Sequence, residues 1–473
     1  QDFGPPPKRD PNAPTLALPT AFPAPGTYPT TYTVTLLSAT PGAQIHYTFD
    51  GTRPNATSPA FDPTKVLWVG AINDHEKGLK TGYTIRAVAM KAGMNDSDIA
   101  TFRYTIDRRD TTEYVSEEIL PGVTMVRDYA NDKMFLIRGS QKALLIDSGM
   151  GTGKLREYIT RIAGNLPIEV LFTHFHGDHT GQSDEFIAES VEHINDADRA
   201  QVEGMLKRKG VSAEVIALNL RNIKEGDVVD LGDRKFIVYQ VPGHTPGSVV
   251  AFEEATGFLF TGDSVGSNGP AIPDSFWLFS ASSPAVDVYL STLEVFRSKL
   301  RRPVTRLMSG HNDRPLEGEG YLDNLQKAAQ TVVDRGTEVM VPSLRPAGYS
   351  QVIVGDRLTD PNWVSINVTK DRCLTTSPDK MATLSNLALS EDHSLDFTPN
   401  RSSYKATVLK KMSGVHVTAT TTSSQSRLKV NGVEAKSGVA VDVPLGPAAT
   451  PVVMTVTAPD GATSQTYNLS VVR

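Results

Sequence analysis

Four side chains able to bind a metal fall within six residues: His174, His176, Asp178 and His179, in the run Thr173-His174-Phe175-His176-Gly177-Asp178-His179. The chain of 473 residues has ten histidines, so this crowding is not an effect of composition. Neutral imidazole and carboxylate suit zinc and similar divalent ions. Three more candidate donors lie downstream. His244 sits in the tight turn Gly243-His244-Thr245-Pro246-Gly247, Asp263 ends the run Phe258-Leu259-Phe260-Thr261-Gly262-Asp263, and His311 follows Met308-Ser309-Gly310. Catalytic zinc needs protein ligands plus an open position for water, and paired ions can activate that water near neutral pH.

The elements around these residues must bring them together. Residues 168–172 read as a short buried strand, so the first cluster lies on the loop leaving it. A loop lets side chains at i, i+2, i+4 and i+5 meet, which a regular strand or helix does not. Residues 134–138, 143–146, 236–241 and 248–252 also read as strands. Residues 154–163, 197–208, 285–300 and 321–335 carry helical spacing, and 184–190 read as the start of a helix. Strands interleaved with helices predict a layered α/β domain.

The order HxHxDH, GH, TGD, GH resembles the metallo-β-lactamase superfamily of hydrolases, and Leu145-Ile146-Asp147-Ser148-Gly149 is similar to its early strand-end motif. The resemblance covers roughly residues 114–343. It implies a four-layer αββα sandwich with ligands on loops along one edge. It also implies that His174, His176 and His244 hold one ion, that Asp178, His179 and His311 hold a second, and that Asp263 bridges them. The two ions are expected to be zinc, with manganese or iron also accepted by such ligands. Asp178 and Asp263 are the candidate proton carriers. Asp147 is expected to sit behind the metal loop as a hydrogen-bond acceptor, not as a ligand.

Within that superfamily, Asp263 in TGD with a final His311 is similar to glyoxalase II-type thioesterases and acyl-homoserine lactonases. β-Lactamases usually carry cysteine or serine where Asp263 stands. The favoured expectation is a metal-activated hydroxide opening an ester or lactone in a small molecule. Thioesterase or β-lactamase activity is the alternative, and iron-dependent oxygenase chemistry on the same motif is another.

A net charge of −6 argues against a nucleic-acid partner, since phosphate binding needs a basic face. No apolar run is long enough to span a bilayer. Cys373 is the one cysteine, so there is no intrachain disulfide. The start at Gln1 with no initiator Met, together with the Pro-rich leader 3–14, reads as a processed exported protein, so a secreted or periplasmic location is expected.

Both flanks read as all-β. Residues 32–36, 45–49, 83–90 and 100–106 alternate as strands, with a turn at Asp50-Gly51. The runs IHYTFDGTRPN and TIRAVAMKAGMNDSD resemble the C-terminal β-sandwich of chitobiases and β-hexosaminidases. Residues 404–408, 415–419, 452–456 and 467–472 alternate likewise, in a region similar to cadherin-like sandwiches of exported bacterial proteins. The expected domains are 15–107, 113–375 and 380–473. A second role is carbohydrate or cell-surface contact, with Tyr47, Trp68 and Tyr83 as a possible platform. That role belongs to a binding protein and not to an enzyme as such.

Other residues carry weaker expectations. Ser267, Asn268, Phe276 and Trp277 follow Asp263 and are candidates for a substrate wall. Tyr321 is a possible oxyanion donor. Thr245 and Ser248 read as turn residues. His46, His75, His393 and His416 read as ordinary sandwich residues, and His193 as part of an acidic helical stretch.

Overall fold

The computed structural model describes residues 9–28, 32–62, 67–69, 80–107, 114–128, 130, 132–150, 153–266, 276–278, 282–312, 315–342, 350–355, 363–369, 373–390 and 395–473. Two sheets face each other in the middle of the chain. The first has seven strands, in the order Leu220–Ile223, Glu192–Asn195, Ile168–Leu171, Ala143–Ile146, Lys133–Arg138, Val123–Arg127 and Val115–Leu120. The second has six, in the order Val228–Asp230, Lys235–Gln240, Val249–Glu253, Phe258–Gly262, Arg306–Ser309 and Leu316–Glu317.

The space between the sheets is filled by Phe135, Ile137, Leu144, Leu171, Phe236, Val249, Phe260 and Met308. These alternate along each strand with residues that face outward into helices, as the period of a strand requires. Leu145, Val170 and Ile194 point out from the first sheet and meet Leu155, Ile159, Val202 and Leu206 of the helices Leu155–Ala163 and Asp196–Arg208. Val250, Phe252, Leu259 and Leu307 point out from the second sheet and meet the helices Val286–Lys299 and Gly318–Arg335. The result is the αββα sandwich expected from the sequence. Val352, Ile366 and Val368, from the antiparallel strands Ser350–Val354 and Val364–Val368, join that second outer core.

Two expectations are corrected. Residues 184–190 form no α-helix: a 3-10 turn at Ser183–Glu185 leads through turns into a strand. His193 lies in that strand, Glu192–Asn195, which pairs in parallel on both sides. Four residues are too few for a period to show. Glu192, the acidic neighbour of His193, is fully buried and accepts from Ser183 Oγ. His193 Nε2 lies 3.3 Å from Glu169 Oε2 on the neighbouring strand.

Sandwiches of strands occupy both flanks. On the N-terminal side, Gly26–Tyr28, Ala100–Asp107, Lys80–Met90 and Gln44–Thr48 form a four-stranded sheet, and Thr20–Phe22, Tyr32–Leu37 and Leu67–Val69 a three-stranded one. They enclose Val34, Leu36, Ile85, Phe102 and Tyr104. On the C-terminal side, sheets of three and five strands enclose Leu387, Val417, Val452, Met454 and Tyr467. This second sandwich is tied to the helix layer. Ser385 Oγ donates to Glu294, Gln330 Nε2 donates to Thr422 O at 2.9 Å, and Ser423 Oγ and Ser424 Oγ donate to Asp334 at 2.9 and 2.6 Å. No described helix is long and apolar enough to cross a membrane.

Candidate metal centre

The site is assembled by parallel strands that end at one edge. Ile168–Leu171 runs parallel to Ala143–Ile146, and Phe258–Gly262 parallel to Arg306–Ser309. Parallel neighbours end together, so the loops that leave them meet. His174 and His176 lie on the loop after Ile168–Leu171, while Asp178 and His179 fall in a one-turn helix, Gly177–Thr180. Asp263 follows Phe258–Gly262, His311 follows Arg306–Ser309, and His244 occupies the turn between Lys235–Gln240 and Val249–Glu253.

Two glycines make the meeting possible. Gly262 has φ 49° and abuts Thr173, so a Cβ there would lie 2.1 Å from Thr173 Oγ1. At Gly310 a Cβ would lie 2.5 Å from His179 Cε1 and 2.6 Å from Asp263 Oδ1. The TGD and GH motifs therefore need glycine to bring the two sheets' edges together.

All seven predicted donors converge, in two groups. His174 Nε2 and His244 Nε2 stand 3.1 and 2.9 Å from His176 Nδ1. In the second group, His179 Nε2 lies 3.7 Å from Asp178 Oδ2 and 3.6 Å from Asp263 Oδ1, and His311 Nε2 lies 3.5 Å from Asp178 Oδ2 and 3.2 Å from Asp263 Oδ2. Asp263 Oδ2 is also 3.6 Å from His244 Nε2, so this carboxylate faces both groups. Within each group the donor atoms lie no more than 4.8 Å apart.

The chemistry of these donors fits divalent ions. His179 Nε2 and Asp263 Oδ1 are buried with no hydrogen-bond partner. Buried polar atoms are seldom left unsatisfied, and a cation between them would satisfy both. Burial, reinforced by neighbouring imidazoles, pushes His174 well below its ordinary range, and burial also lowers His176. Burial opposes charge on His179 too, but Asp178, Asp263 and Asp147 outweigh it and hold this imidazole well above its usual range. Asp263 and Asp132 likewise raise His311 to about 10 against burial. Burial works against the Asp263 carboxylate, yet His311 and His179 keep it well below the usual range.

Behind the donors stand carboxylates. Asp147 has φ 63°, a left-handed conformation that is costly for a residue with a Cβ. Its carboxylate accepts from Thr173 N at 2.8 Å and Thr173 Oγ1 at 2.9 Å, and meets His179 Nδ1 at 2.7 Å. It thus fixes which imidazole nitrogen faces the cluster, as expected from the sequence.

Asp198 was not anticipated. It accepts from Phe175 N at 3.2 Å, Thr245 Oγ1 at 2.6 Å and Gly247 N at 2.8 Å, clamping the HxH loop to the GH turn. A Cβ on Gly247 would lie 2.5 Å from Asp198 Cγ, which explains that glycine. Thr245 and Ser248 also bond each other, as turn residues should. Acidic residues are common in a helix's first turn, so Asp198 in Asp196–Arg208 was masked by an ordinary capping pattern. Its partners lie 23 to 49 residues away in the chain, and no local motif marks them.

Tyr321 is fully buried among the helices and its hydroxyl has no hydrogen-bond partner, so it does not line an open site. Residues 267–275 and the side chains of Phe276 and Trp277 lie outside the described residues, as do His75, His393, residues 1–8, residues 108–113 and the side chain of Trp68. His46 Nδ1 bonds Ser58 O at 2.8 Å, and His416 pairs with Asp442 on the far sandwich.

Comparison with known proteins agrees with this geometry. Residues 133–311 match the metallo-beta-lactamase superfamily, residues 23–101 the chitobiase/beta-hexosaminidase C-terminal domain, and residues 384–473 the cadherin-like beta sandwich domain. An acyl-coenzyme A thioesterase MBLAC2 from Gallus gallus is 31% identical over 157 residues, which is 28% of this chain and 57% of that protein. A hydroxyacylglutathione hydrolase from Xanthomonas euvesicatoria pv. vesicatoria is 34% identical over 134 residues, 28% of this chain and 46% of that protein. A beta-lactamase domain protein from Burkholderia ambifaria aligns over 46% of this chain and 77% of its own, at 21% identity and a TM-score of 0.35. The chain spans about half the length of the curated relatives it matches. Residues 133–311 are thus similar to the metallo-beta-lactamase superfamily, with a chitobiase-type match before that region and a cadherin-like match after it.

Proposed function

We propose that this protein is a dinuclear metal-dependent hydrolase that cleaves an ester or lactone bond in a small molecule. One observation carries the reading: two donor groups converge with Asp263 facing both. His174, His176 and His244 would hold one ion, Asp178, His179 and His311 the other, and Asp263 would be shared. Ions held there supply Lewis acidity toward a carbonyl and a water acidic enough to ionise near neutral pH. Zinc suits the donors best, because imidazole outnumbers carboxylate in the set.

The chain's own residues divide the remaining work. Asp147 and Asp198 hold the loops in register. The Asp178 side chain is 30% accessible while that of Asp263 is 8% accessible, so Asp178 is the carboxylate able to exchange a proton with a leaving group. Hydrolysis of ester, lactone, thioester and β-lactam panels, with metal-loaded and chelated protein, tests the reading. Activity that survives complete metal removal would sink it.

Thioester cleavage is the second reading. It is favoured by the thioesterase and the hydroxyacylglutathione hydrolase to which the chain is similar. The same panel separates it by the ratio of thioester to oxygen-ester rates. A secreted or periplasmic location, with carbohydrate contact through the N-terminal sandwich, completes the proposal. Its support is the exposed Phe49, which meets Tyr47 edge-on at 5.9 Å on that sandwich. Retention of the full chain on chitin, cellulose or peptidoglycan checks that contact.

A further inference from the structure

We infer that Asp132 is a positioning residue for His311, fixing the imidazole through its remote nitrogen so that the second ion is held. The inference rests on the dinuclear reading above. Asp132 is buried, and its Oδ1 lies 3.4 Å from His311 Nδ1. That is long for a hydrogen bond but within reach of an ion pair. The opposite nitrogen, Nε2, faces Asp263 and Asp178. His311 therefore stands between a remote carboxylate and the cluster, as His179 stands between Asp147 and the cluster.

The approach is built into the backbone. Lys133 N donates to Gly310 O at 2.9 Å, which stitches the residue after Asp132 to the residue before His311. Asp128 holds the turn from the other side. Its Oδ1 accepts from Ala130 N and Asp132 N at 2.9 and 3.0 Å, and its Oδ2 from Met150 N at 2.9 Å. The local turn is thus satisfied by Asp128 without any use of the Asp132 side chain. Asp132 Oδ2 is buried with no hydrogen-bond partner. A carboxylate kept in such a place at a cost to folding is explained by the imidazole in front of it. His174, in the first group, has the Thr173 hydroxyl at its Nδ1, 3.1 Å away, and no carboxylate there among the described residues. Asp147 and Asp132 thus stand behind the two imidazoles of the second group, His179 and His311.

The test is zinc titration of the metal-free full chain against a chromophoric chelator, with the cobalt(II) spectrum as a second readout. The parent should take two ions. In Asp132→Asn and Asp132→Ala the first ion should bind at the parental affinity, while the second weakens about 10–100-fold and its cobalt bands shift. The near-isosteric Asn variant carries the test if the Ala variant does not fold. Two ions bound at parental affinity in a folded variant would overturn the inference, as would equal weakening of both ions. A parent that binds no ion would instead remove the dinuclear reading itself.

Discussion

The two halves of the cluster use the same imidazole chemistry and reach opposite electrostatic states. His174 and His176 are pushed toward the neutral form by burial and by each other's neighbourhood. His179 and His311 face Asp178, Asp263, Asp147 and Asp132, which hold both imidazoles above their ordinary range against burial. Desolvation outweighs the pull of nearby carboxylates at His174 and His176, and charge pairing outweighs desolvation at His179 and His311. One half is ready to receive a cation. The other already holds positive charge, in the form of protons that a cation must displace.

The largest expected effect comes from breaking each half in turn. His244→Ala removes a donor from the neutral half and should cost about 10³-fold or more in turnover, the scale of losing a Lewis acid from an acyl-transfer site. His311→Ala should leave that first ion in place and lower the metal content toward one per chain. Metal analysis alongside steady-state rates reads both. Equal loss of both ions in each variant would mean that the halves are not separable.

The second prediction concerns protons. Loading the carboxylate-rich half near pH 7 should release about two protons per chain, from His179 and His311, and His174 and His176 should release none. Calorimetry in buffers of different ionisation enthalpy counts them. Metal-free stability should show the same split. His311 has a folded value of about 10 against an ordinary 6.5, so its stabilisation is complete below about pH 6.5 and is lost as the pH rises through 10. His174 and His176 have lowered folded values, so below pH 6.5 the unfolded chain takes up protons that the folded chain refuses, and stability falls with acid. The contribution of these imidazoles to the stability of the metal-free chain should therefore be greatest near pH 6.5. His311→Ala should make the alkaline limb shallower, with His179 supplying the remaining slope, and leave the acid limb in place.

This asymmetry also marks how far the sequence could be read. The seven donors were legible because each sits in a short motif, and in TGD and the final GH the glycine has a steric reason, seen at Gly262 and Gly310. The layered architecture followed from strands and helices that alternate. The carboxylates behind the donors, Asp132 and Asp198, were not legible. Each acts across tens of residues or more on a partner that only the closed fold brings near, and each sits where an acidic residue has a commonplace local explanation. The strand Glu192–Asn195 was misread for a related reason. Its buried Glu192 is made tolerable by Ser183, a contact that no periodicity reveals.

A buried carboxylate with no ion cluster beside it gives the smallest effect and the sharpest control. Glu294 lies where the helix Val286–Lys299 meets the C-terminal sandwich, bonded by Ser385 Oγ and, at 3.2 Å, by Gln326 Nε2. Burial raises its carboxyl to about 7, and those hydrogen bonds offset it only in part. Here no imidazolium outweighs desolvation as it does at Asp263. With a folded value above the unfolded one, Glu294 binds its proton more tightly in the folded chain, so stability should decline as pH rises from about 4.5 through 7. Glu294→Gln mimics the neutral acid and should remove that slope, gaining on the order of 1 kcal/mol over the parent at pH 8 and little at pH 4.5. Metal content should not change. Thermal melts of metal-loaded parent and variant across this range isolate the difference, because the cluster is common to both. A variant that keeps the parent's slope would show that the interface carboxylate is ionised throughout, and that burial at this seam is offset by something other than a proton.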